Sequence, residues 1–231
     1  MKEKNIHSAI ILCGGMSRRM GEDKGSMEID KKPMIIHVLE ALTSQIDEAI
    51  IVLNDSERVI KYKVLIQGNS KNTDIYYNTF DFDIKFVEDE VKNKGPLSGI
   101  KTGLKAISSE YALVLPCDSP YISSDFVNYM FNLLEKFIED NVDIKAIIPY
   151  HTCENDNSNS KNLILENCEP LHSIYKRENY SIIEDLLDSD EKQVKSFIDI
   201  IDSYFIPIDN GENSKITGIN FKNINYKDDF Y

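Results

Sequence analysis

The feature that most constrains the fold is an alternation of short β-branched apolar runs with longer amphipathic segments. Short apolar runs are typical of strands buried on both faces, and amphipathic segments are typical of helices that pack on a sheet. Such alternation requires parallel strands covered on both sides. We therefore predict an α/β fold with a Rossmann-like open, mostly parallel sheet and helices on both faces. The predicted strands are residues 8–12, 48–53, 84–87, 111–115 and 144–149, and the predicted helices are 34–45, the first part of 56–83, 95 to about 108, and 123–139.

The remaining chain extends this pattern without starting a second domain. Its 231 residues correspond to one or two domains, given a usual domain size of roughly 150 residues. The sequence has no internal repeat and no long linker, so we predict a single domain over residues 1–231. An Asn- and Ser-rich loop is expected at 153–162. Beyond it we predict strands at 171–175 and 204–208 and helices at 177–187 and 191–201.

The charge balance limits the partners. The chain has 26 Lys and Arg against 39 Asp and Glu, a net charge of −13. Because nucleic acids and anionic bilayers attract clustered Lys and Arg, we expect neither nucleic acid nor membrane as a partner. Residues 14–21 are a local exception, with two arginines and no acidic residue, and Lys24 follows. A small phosphate ligand responds to such a local cluster rather than to the net charge.

Several sequence features favour the cytoplasm. The first seven residues lack a signal-peptide pattern, and the apolar run at 9–12 is too short to cross a bilayer. The four cysteines show neither CxxC nor a zinc-like spacing with His. We therefore expect a cytoplasmic protein with free thiols. Cys13 and Cys117 lie beside the motifs described next, where we expect small residues at strand ends rather than nucleophiles.

The loop after the first predicted strand contains glycines and basic residues. Gly14 and Gly15 let backbone N–H groups approach phosphate oxygens, while Arg19 and Lys24 add positive charge. The loop fits neither GxxxxGK[ST] nor GxGxxG. Ligands bind at the carboxyl ends of strands in open parallel sheets, which is where this loop begins. We interpret it as a nucleotide phosphate site, the alternative being an ordinary loop with solvated arginines.

Polar residues also follow three other predicted strands. Asp118 lies between Pro116 and Pro120 after one strand, and Asp89 and Asn54 follow two more. A carboxylate held rigidly in the ligand crevice can bind Mg²⁺, which bridges phosphates. Each of the three could instead cap a helix. Three polar residues that meet at one edge of the sheet are better explained by a ligand site than by three separate helix caps.

Taken in order, these motifs resemble those of molybdenum cofactor guanylyltransferases. Residues 12–24 fill every position of that family's LxGGxSxRMGxDK pattern, which related nucleotidyltransferases partly share. The similarity continues in order along nearly the whole chain, and the ordered set is more specific than its first loop. The other matching segments are Lys32-Pro33-Met34, Val87-Glu88-Asp89, Gly95 to Ile100, Pro116 to Tyr121, Glu169-Pro170-Leu171 and Phe221 to Asn225.

The resemblance implies the fold of nucleotide-diphospho-sugar transferases and a specific activity. That activity is Mg²⁺-dependent transfer of GMP from GTP to the terminal phosphate of molybdopterin or molybdenum cofactor, with release of pyrophosphate. It implies GTP and the pterin as ligands, and cofactor-synthesis proteins and apo-molybdoenzymes as candidate protein partners. In-line phosphoryl transfer needs positioning and charge neutralisation more than a covalent nucleophile, so we assign no nucleophile.

The resemblance also assigns residues by position. Asp118 would bind Mg²⁺, and Arg19 and Lys24 would stabilise charge on the phosphates. Gly14, where cytidylyltransferase relatives usually have Ala, leaves room for a purine and favours GTP. The GTP-binding part would span about residues 1–120 and the acceptor-binding part about 121–231. The residues assigned to the nucleotide are Leu12, Cys13, Gly14, Gly15, Lys24, Asn54, Asp89 and Asp118.

The acceptor side has fewer matches, namely Gly95, Glu169, Asn223 and Asn225. Amide side chains suit the mixed donors and acceptors of a pterin, although Asn223 and Asn225 could be turn residues in so Asn-rich a chain. The sequence departs from the family pattern after Asn225, where a final helix usually begins with Thr-Pro and an acid. It also lacks the Arg-bearing stretch expected near residue 192.

Two alternatives stay open at this point. One is a cytidylyltransferase or another nucleotidyltransferase of the same fold that acts on a different phosphorylated acceptor. The other is a nucleotide-binding regulatory module without turnover, which the presence of both Lys24 and Asp118 disfavours.

Overall fold

The computed structural model describes residues 6–14, 23–67, 80–91, 94–152, 161–208 and 218–221. The strands are β1 (Ser8–Cys13), β2 (Glu28–Ile29), β3 (Lys32–Pro33), β4 (Glu48–Leu53), β5 (Asp83–Glu88), β6 (Tyr111–Pro116), β7 (Ala146–His151), β8 (Ile174–Lys176) and β9 (Ser203–Ile208). The helices are α1 (Met34–Leu42), α2 (Ser56–Gln67), α3 (Pro96–Ala106), α4 (Ser124–Glu139), α5 (Lys161–Glu166), α6 (Asn179–Asp188) and α7 (Val194–Ile200).

Seven of the strands form one sheet in the order β5-β4-β1-β6-β8-β7-β9. β1 pairs in parallel with β4 and β6, with Ile10 opposite Ile50 on one side and Val114 on the other. β4 pairs in parallel with β5, and β7 with β9. β8 runs antiparallel to both β6 and β7. The predicted α/β class with a mostly parallel sheet is therefore confirmed.

Helices cover both faces of this sheet because the central strands are buried at every position and apolar at nearly all of them. β1, β4 and β6 are buried along their whole lengths. Alternate residues of a strand point to opposite faces, so Ile11 of β1 packs in one core with α1 and α4, while Ile10 packs in another with α3, α6 and α7. A sheet with two apolar faces needs such a two-sided cover.

Several boundaries differ from the sequence prediction. The strand expected at 171–175 covers Ile174–Lys176, and the helix expected at 34–45 ends at Leu42. The hairpin β2–β3 was not predicted, nor was α5. The hairpin turns through Asp30 and Lys31, which both have positive φ angles of 52° and 66°. That geometry favours Asn-Gly or Asp-Gly, so Asp-Lys is a weak sequence signal for it.

At the amino end of the sheet, the buried carboxylate of Glu48, the first residue of β4, joins neighbouring elements by hydrogen bonds. Its Oε1 accepts hydrogen bonds from Ser8 Oγ at 2.6 Å and from the backbone N and Oγ of Ser108 at 2.6 and 2.7 Å. Lys85 Nζ donates to Oε2 at 2.8 Å. Burial alone raises the pKa of Glu48, but the bonds from Lys85, Ser8 and Ser108 outweigh it and lower the pKa to about 2.

Among the described residues, no helix is long and apolar enough to traverse a bilayer.

Candidate active site

The carboxyl end of β1 places its loop against the end of β4. Cys13 pairs with Leu53 across these two strands, so Gly14 and Asn54 follow at the same level of the sheet. A Cβ added to Gly14 would lie 2.9 Å from Asn54 Oδ1, a distance at which one of the two must shift. Glycine at this position therefore lets the backbone and the Asn54 amide lie side by side. The structure brings together the predicted nucleotide residues at the ends of these two strands.

The most direct contact between predicted site residues joins Lys24 and Asp118. Lys24 Nζ donates to Asp118 Oδ2 at 2.8 Å, and the two side chains are 23% and 17% exposed. Asp118 follows β6, and the N–H of the preceding Cys117 donates to Leu12 O of β1 at 3.1 Å. The helix-cap alternative for Asp118 is excluded, because Ser123 caps α4 and accepts from Phe126 N at 3.2 Å.

A cluster on α2 holds the turn that carries Lys24. Asp23 precedes Lys24, and its Oδ1 accepts from Arg58 Nη2 at 2.5 Å and from Tyr62 OH at 2.8 Å. Sequence reasoning missed these two partners. Their spacing of four residues places both on one face of a helix, and that spacing was the available signal. It does not reveal which acid they face.

Asp89 has a different environment from Asp118. Its Oδ1 accepts from Ser98 Oγ at 2.6 Å and from Thr102 Oγ1 at 3.0 Å, both on α3. Its N–H donates to Leu53 O of β4 at 2.7 Å, and the residue is 9% exposed. The structure therefore places Asp89 at the same edge as Asn54, with its carboxylate tied to α3. Neither residue is a helix cap: Asp55 Oδ1 accepts from Arg58 N at the start of α2, and Gly95 is the residue before α3.

The two cysteines beside these motifs are buried thiols. Cys13 is 1% exposed and Cys117 is 6% exposed. Burial, and then the neighbouring Cys117 thiol, raise the pKa of Cys13 well above its usual range. Since the thiolate is the reactive form, this environment agrees with the prediction of small strand-end residues rather than nucleophiles.

On the predicted acceptor side, Glu169 lies between two histidines. Its Oε1 is 2.8 Å from His151 Nε2 and its Oε2 is 3.4 Å from His172 Nδ1. Burial raises the pKa of Glu169, but His172 and His151 outweigh it and the net shift is downward. His172 Nε2 in turn lies 2.9 Å from Ser119 Oγ. This chain of contacts connects the partly exposed Glu169 to the residue after Asp118 through the buried His172, a link that no sequence spacing indicated.

The C-terminal motif begins beside the same histidines. The ring of Phe221 packs edge-on against His172 and His151, with centroid distances of 5.1 and 5.6 Å. Gly95 has a φ of 75°, and a Cβ added to it would lie 3.9 Å from Lys192 O. Gly95 therefore lies next to the segment before α7. Gly15, Arg19, Asn223 and Asn225 lie outside the described residues.

No group of three or more His, Cys, Asp or Glu side chains arranged for a metal ion occurs within the described ranges. Asp118 nevertheless offers a hard carboxylate oxygen at the ligand edge of the sheet. Mg²⁺ in nucleotide sites is usually bound by one or two carboxylates together with substrate phosphates. A single carboxylate at this position therefore fits Mg²⁺ that arrives with a nucleotide.

Comparison with known proteins identifies close similarities over most of the chain. A family model described as a MobA-like NTP transferase domain matches residues 9–199. A probable molybdenum cofactor guanylyltransferase from Peptoclostridium acidaminophilum is 33% identical over 206 residues, which cover 88% of this chain and 77% of that protein. Another from Methanothermobacter thermautotrophicus is 29% identical over 198 residues, 86% of this chain and 85% of the relative.

The fold has a counterpart among solved structures. The crystal structure of molybdopterin-guanine dinucleotide biosynthesis protein A from Archaeoglobus fulgidus superposes with a TM-score of 0.68. The match covers 96% of this chain and 94% of that one, at 20% sequence identity. At this identity the likeness shows a shared fold.

Proposed function

The chain belongs to the MobA-like NTP transferase domain family, and on that premise we propose that it is a molybdenum cofactor guanylyltransferase. It transfers GMP from GTP to the terminal phosphate of molybdopterin. The observation that carries the site is the 2.8 Å contact of Lys24 with Asp118. These residues are 94 positions apart in sequence and meet at the carboxyl edge of the sheet, where ligands of such folds bind.

The nucleotide site that we propose is formed by the ends of β1, β4, β5 and β6. The backbone of Leu12, Cys13 and Gly14 contacts the nucleotide, and Asn54 lies at the same level. Asp89 is held by α3 through Ser98 and Thr102, and so presents a rigid edge to the ligand. Gly15 and Arg19, outside the described residues, complete the phosphate loop in this proposal.

The chemistry that we propose forms one bond and breaks one. A phosphate oxygen of molybdopterin attacks the α-phosphorus of GTP, the bond from that phosphorus to the oxygen of the β-phosphate breaks, and pyrophosphate leaves with both electrons. Lys24 neutralises charge that develops on the phosphates. Asp118 would hold Mg²⁺, which would supply further charge neutralisation.

The choice of GTP over CTP rests on the close approach at Gly14. Because a Cβ there would lie 2.9 Å from Asn54 Oδ1, an alanine would push the Asn54 amide away from the strand ends. We propose that the glycine leaves room for a purine. The cytidylyltransferase alternative has no comparable support.

We propose that one domain carries both substrates, with GTP in about residues 1–120 and the acceptor in about 121–231. Glu169 is tied to His151 and His172, so it orders the acceptor site rather than receiving the pterin as a free carboxylate. Asn223 and Asn225 would follow from Phe221, which packs against the same histidines. The described cysteines Cys13, Cys117 and Cys168 are buried free thiols, which suits the proposed cytoplasmic location.

The test is an assay of purified protein with molybdopterin, GTP or CTP, and either Mg²⁺ or a chelator. We expect pyrophosphate release and a guanine dinucleotide product, identified by mass spectrometry, only with GTP and Mg²⁺. Turnover with CTP but not GTP would contradict the base assignment, and full turnover in the chelator would contradict the metal. Faster GMP transfer to another phosphorylated acceptor would show that this acceptor, rather than molybdopterin, is the substrate.

A further inference from the structure

The turn that carries Lys24 is held from one side by helix α2. The contacts converge on the carboxylate of Asp23, which is 12% exposed. Arg58 donates through two nitrogens, Nη2 to Oδ1 at 2.5 Å and Nε to Oδ2 at 3.3 Å. Tyr62, fully buried, donates its hydroxyl to Oδ1 at 2.8 Å. We call these three residues the Asp23 cluster.

Asp23 accepts from two of the five N–H groups of Arg58, one on Nη2 and one on Nε. A guanidinium that faces a carboxylate with two nitrogens makes the strongest common side-chain ion pair. Burial lowers the pKa of Arg58, but Asp23 outweighs it and the net shift is upward. Arg58 is only 17% exposed. Lys61, which is 49% exposed, adds a second cation 3.5 Å from Asp23 Oδ2. The pair of Arg58 and Asp23 is largely buried, which suits a support for a charged group better than a phosphate ligand.

Hydrogen bonds to the backbone of Asp23 and Lys24 hold the turn that contains both residues. Ser26 donates from both its N–H and its hydroxyl to Asp23 O, at 3.1 and 2.8 Å, and Met27 N donates to Lys24 O at 3.0 Å. A Cβ added to Gly25 would lie 2.4 Å from Tyr62 OH and 2.9 Å from Cys117 Sγ. The turn is thus packed between α2 and the residue that precedes Asp118.

We propose that Arg58 and Tyr62 are positioning residues that act through Asp23 to direct Lys24 at the nucleotide phosphates. This rests on the proposed function of Lys24. A free lysine side chain loses substantial rotamer entropy when it is held in one place. Holding its backbone in advance reduces that loss and keeps the ammonium group where charge develops.

Helix α2 also begins close to Asn54, one of the residues that we assign to the nucleotide. α2 begins at Ser56, two residues after Asn54, and Asp55 accepts from Arg58 N at 2.8 Å. Arg58 therefore contacts the end of the β4 loop with its backbone and the Lys24 turn with its side chain. Displacing Arg58 would therefore disturb both Asp55, which follows the nucleotide residue Asn54, and the support of the Lys24 turn.

The test is a double-mutant cycle on Arg58→Ala and Lys24→Ala. Since we expect Lys24→Ala to remove most turnover, the cycle is measured as the affinity for a non-hydrolysable GTP analogue with Mg²⁺, by calorimetry. We expect Arg58→Ala to weaken binding by about 10-fold in the otherwise unchanged protein, within the range that misplacement of a binding group causes. In the Lys24→Ala background we expect less than about a twofold further change, because the group that Arg58 positions is already gone.

The matched control is Lys63→Ala, which removes a positive charge from the same helix. Lys63 is exposed and places its Nζ 5.9 Å from the centre of the Phe86 ring. We expect its effect on affinity to stay within about twofold. Tyr62→Phe, which removes only the hydroxyl that reaches Asp23, repeats the cycle if Arg58→Ala fails to fold.

The outcomes separate this proposal from the proposed function. If the fold-losses in affinity caused by Arg58→Ala and Lys24→Ala multiply in the double variant, the positioning role is wrong. It is also wrong if Lys63→Ala weakens binding as much as Arg58→Ala does. Non-additive binding together with no GMP transfer to molybdopterin would support the positioning role while contradicting the proposed activity. The kcat of Arg58→Ala and Tyr62→Phe gives a second measurement, and both should fall by about 10- to 100-fold.

Discussion

The two ends of the sheet each hold a carboxylate that contacts a lysine at 2.8 Å, yet their surroundings differ. At the amino end, Glu48 is 5% exposed at its side chain and also accepts from Ser8 and from the backbone and hydroxyl of Ser108. At the carboxyl end, Asp118 is 17% exposed and lies in a turn after β6. The same ion-pair distance therefore occurs in a closed structural site and in an accessible candidate active site.

The difference shows that an ion-pair distance alone does not identify a functional carboxylate. Neutral hydroxyls and an N–H group satisfy Glu48 from within the fold, so exchanging them for a ligand would leave buried donors unpaired. Asp118, by contrast, lies at the edge of the sheet where the proposed metal ion and phosphate would bind. Three substitutions test this contrast between the two ends.

The largest effect is expected for Asp118→Asn at the carboxyl end. The amide keeps the shape of the side chain but removes the charge proposed to bind Mg²⁺. We expect kcat for GMP transfer to fall by about 100- to 1,000-fold, the usual cost of losing one electrostatic group of this kind. The rate of pyrophosphate release measures it, with the melting temperature as the folding control. An unchanged rate in a folded variant would show that Asp118 is not part of the chemistry.

An effect on stability, and none on the rate of GMP transfer, is expected for Glu48→Gln at the amino end. The folded-state pKa of Glu48 is lowered to about 2 from a usual 4.5, so its stabilisation is present above pH 4.5 and lost as the pH falls toward 2. A shift of this size corresponds to about 3 kcal/mol at neutral pH.

Urea unfolding of wild type and Glu48→Gln across pH 2 to 7 checks this prediction. The two unfolding free energies should differ most at neutral pH and converge near pH 2, while GMP transfer per folded molecule stays at the wild-type rate. A constant difference across that range would mean that the charge of Glu48 contributes nothing, and a lost activity would remove the contrast between the two ends.

The smallest effect is expected for Lys85→Ala. Lys85 contacts Glu48 at 2.8 Å but its side chain is 49% exposed, so solvent screens the interaction. We expect a loss of at most about 1 kcal/mol in the free energy of unfolding, because Ser8 and Ser108 continue to satisfy Glu48. The salt dependence of that loss is the measurement. A cost equal to that of Glu48→Gln would show that the lysine, rather than the hydroxyls, stabilises the carboxylate.

Much of the fold was predictable because its signals are local. The mainly apolar runs of β1, β4 and β6 indicated strands buried on both faces, and the structure has all three. The reversed direction of β8 was not predictable, since three residues carry no periodicity that distinguishes parallel from antiparallel pairing. The β2–β3 hairpin was missed because its turn uses residues that rarely take positive φ.

The candidate site divides in the same way. Asn54, Asp89 and Asp118 could be selected because each follows a predicted strand, and parallel strands end at one edge. Lys24 could be selected as a basic residue of the Gly-containing loop after the first strand. The residues that support them could not. Arg58 and Tyr62 face Asp23 across more than 30 positions of sequence, and His172 meets Ser119 across 53.

By itself, the sequence determined the alternation of strands and helices, the family resemblance and the set of residues at the strand ends. Hydrophobic periodicity and turn chemistry act over a few residues, and both are legible in a linear chain. Only the tertiary structure decided which carboxylate is satisfied from within and which stays accessible. That depends on donors that helix and strand packing bring together, such as Ser8, Lys85 and Ser108 around Glu48.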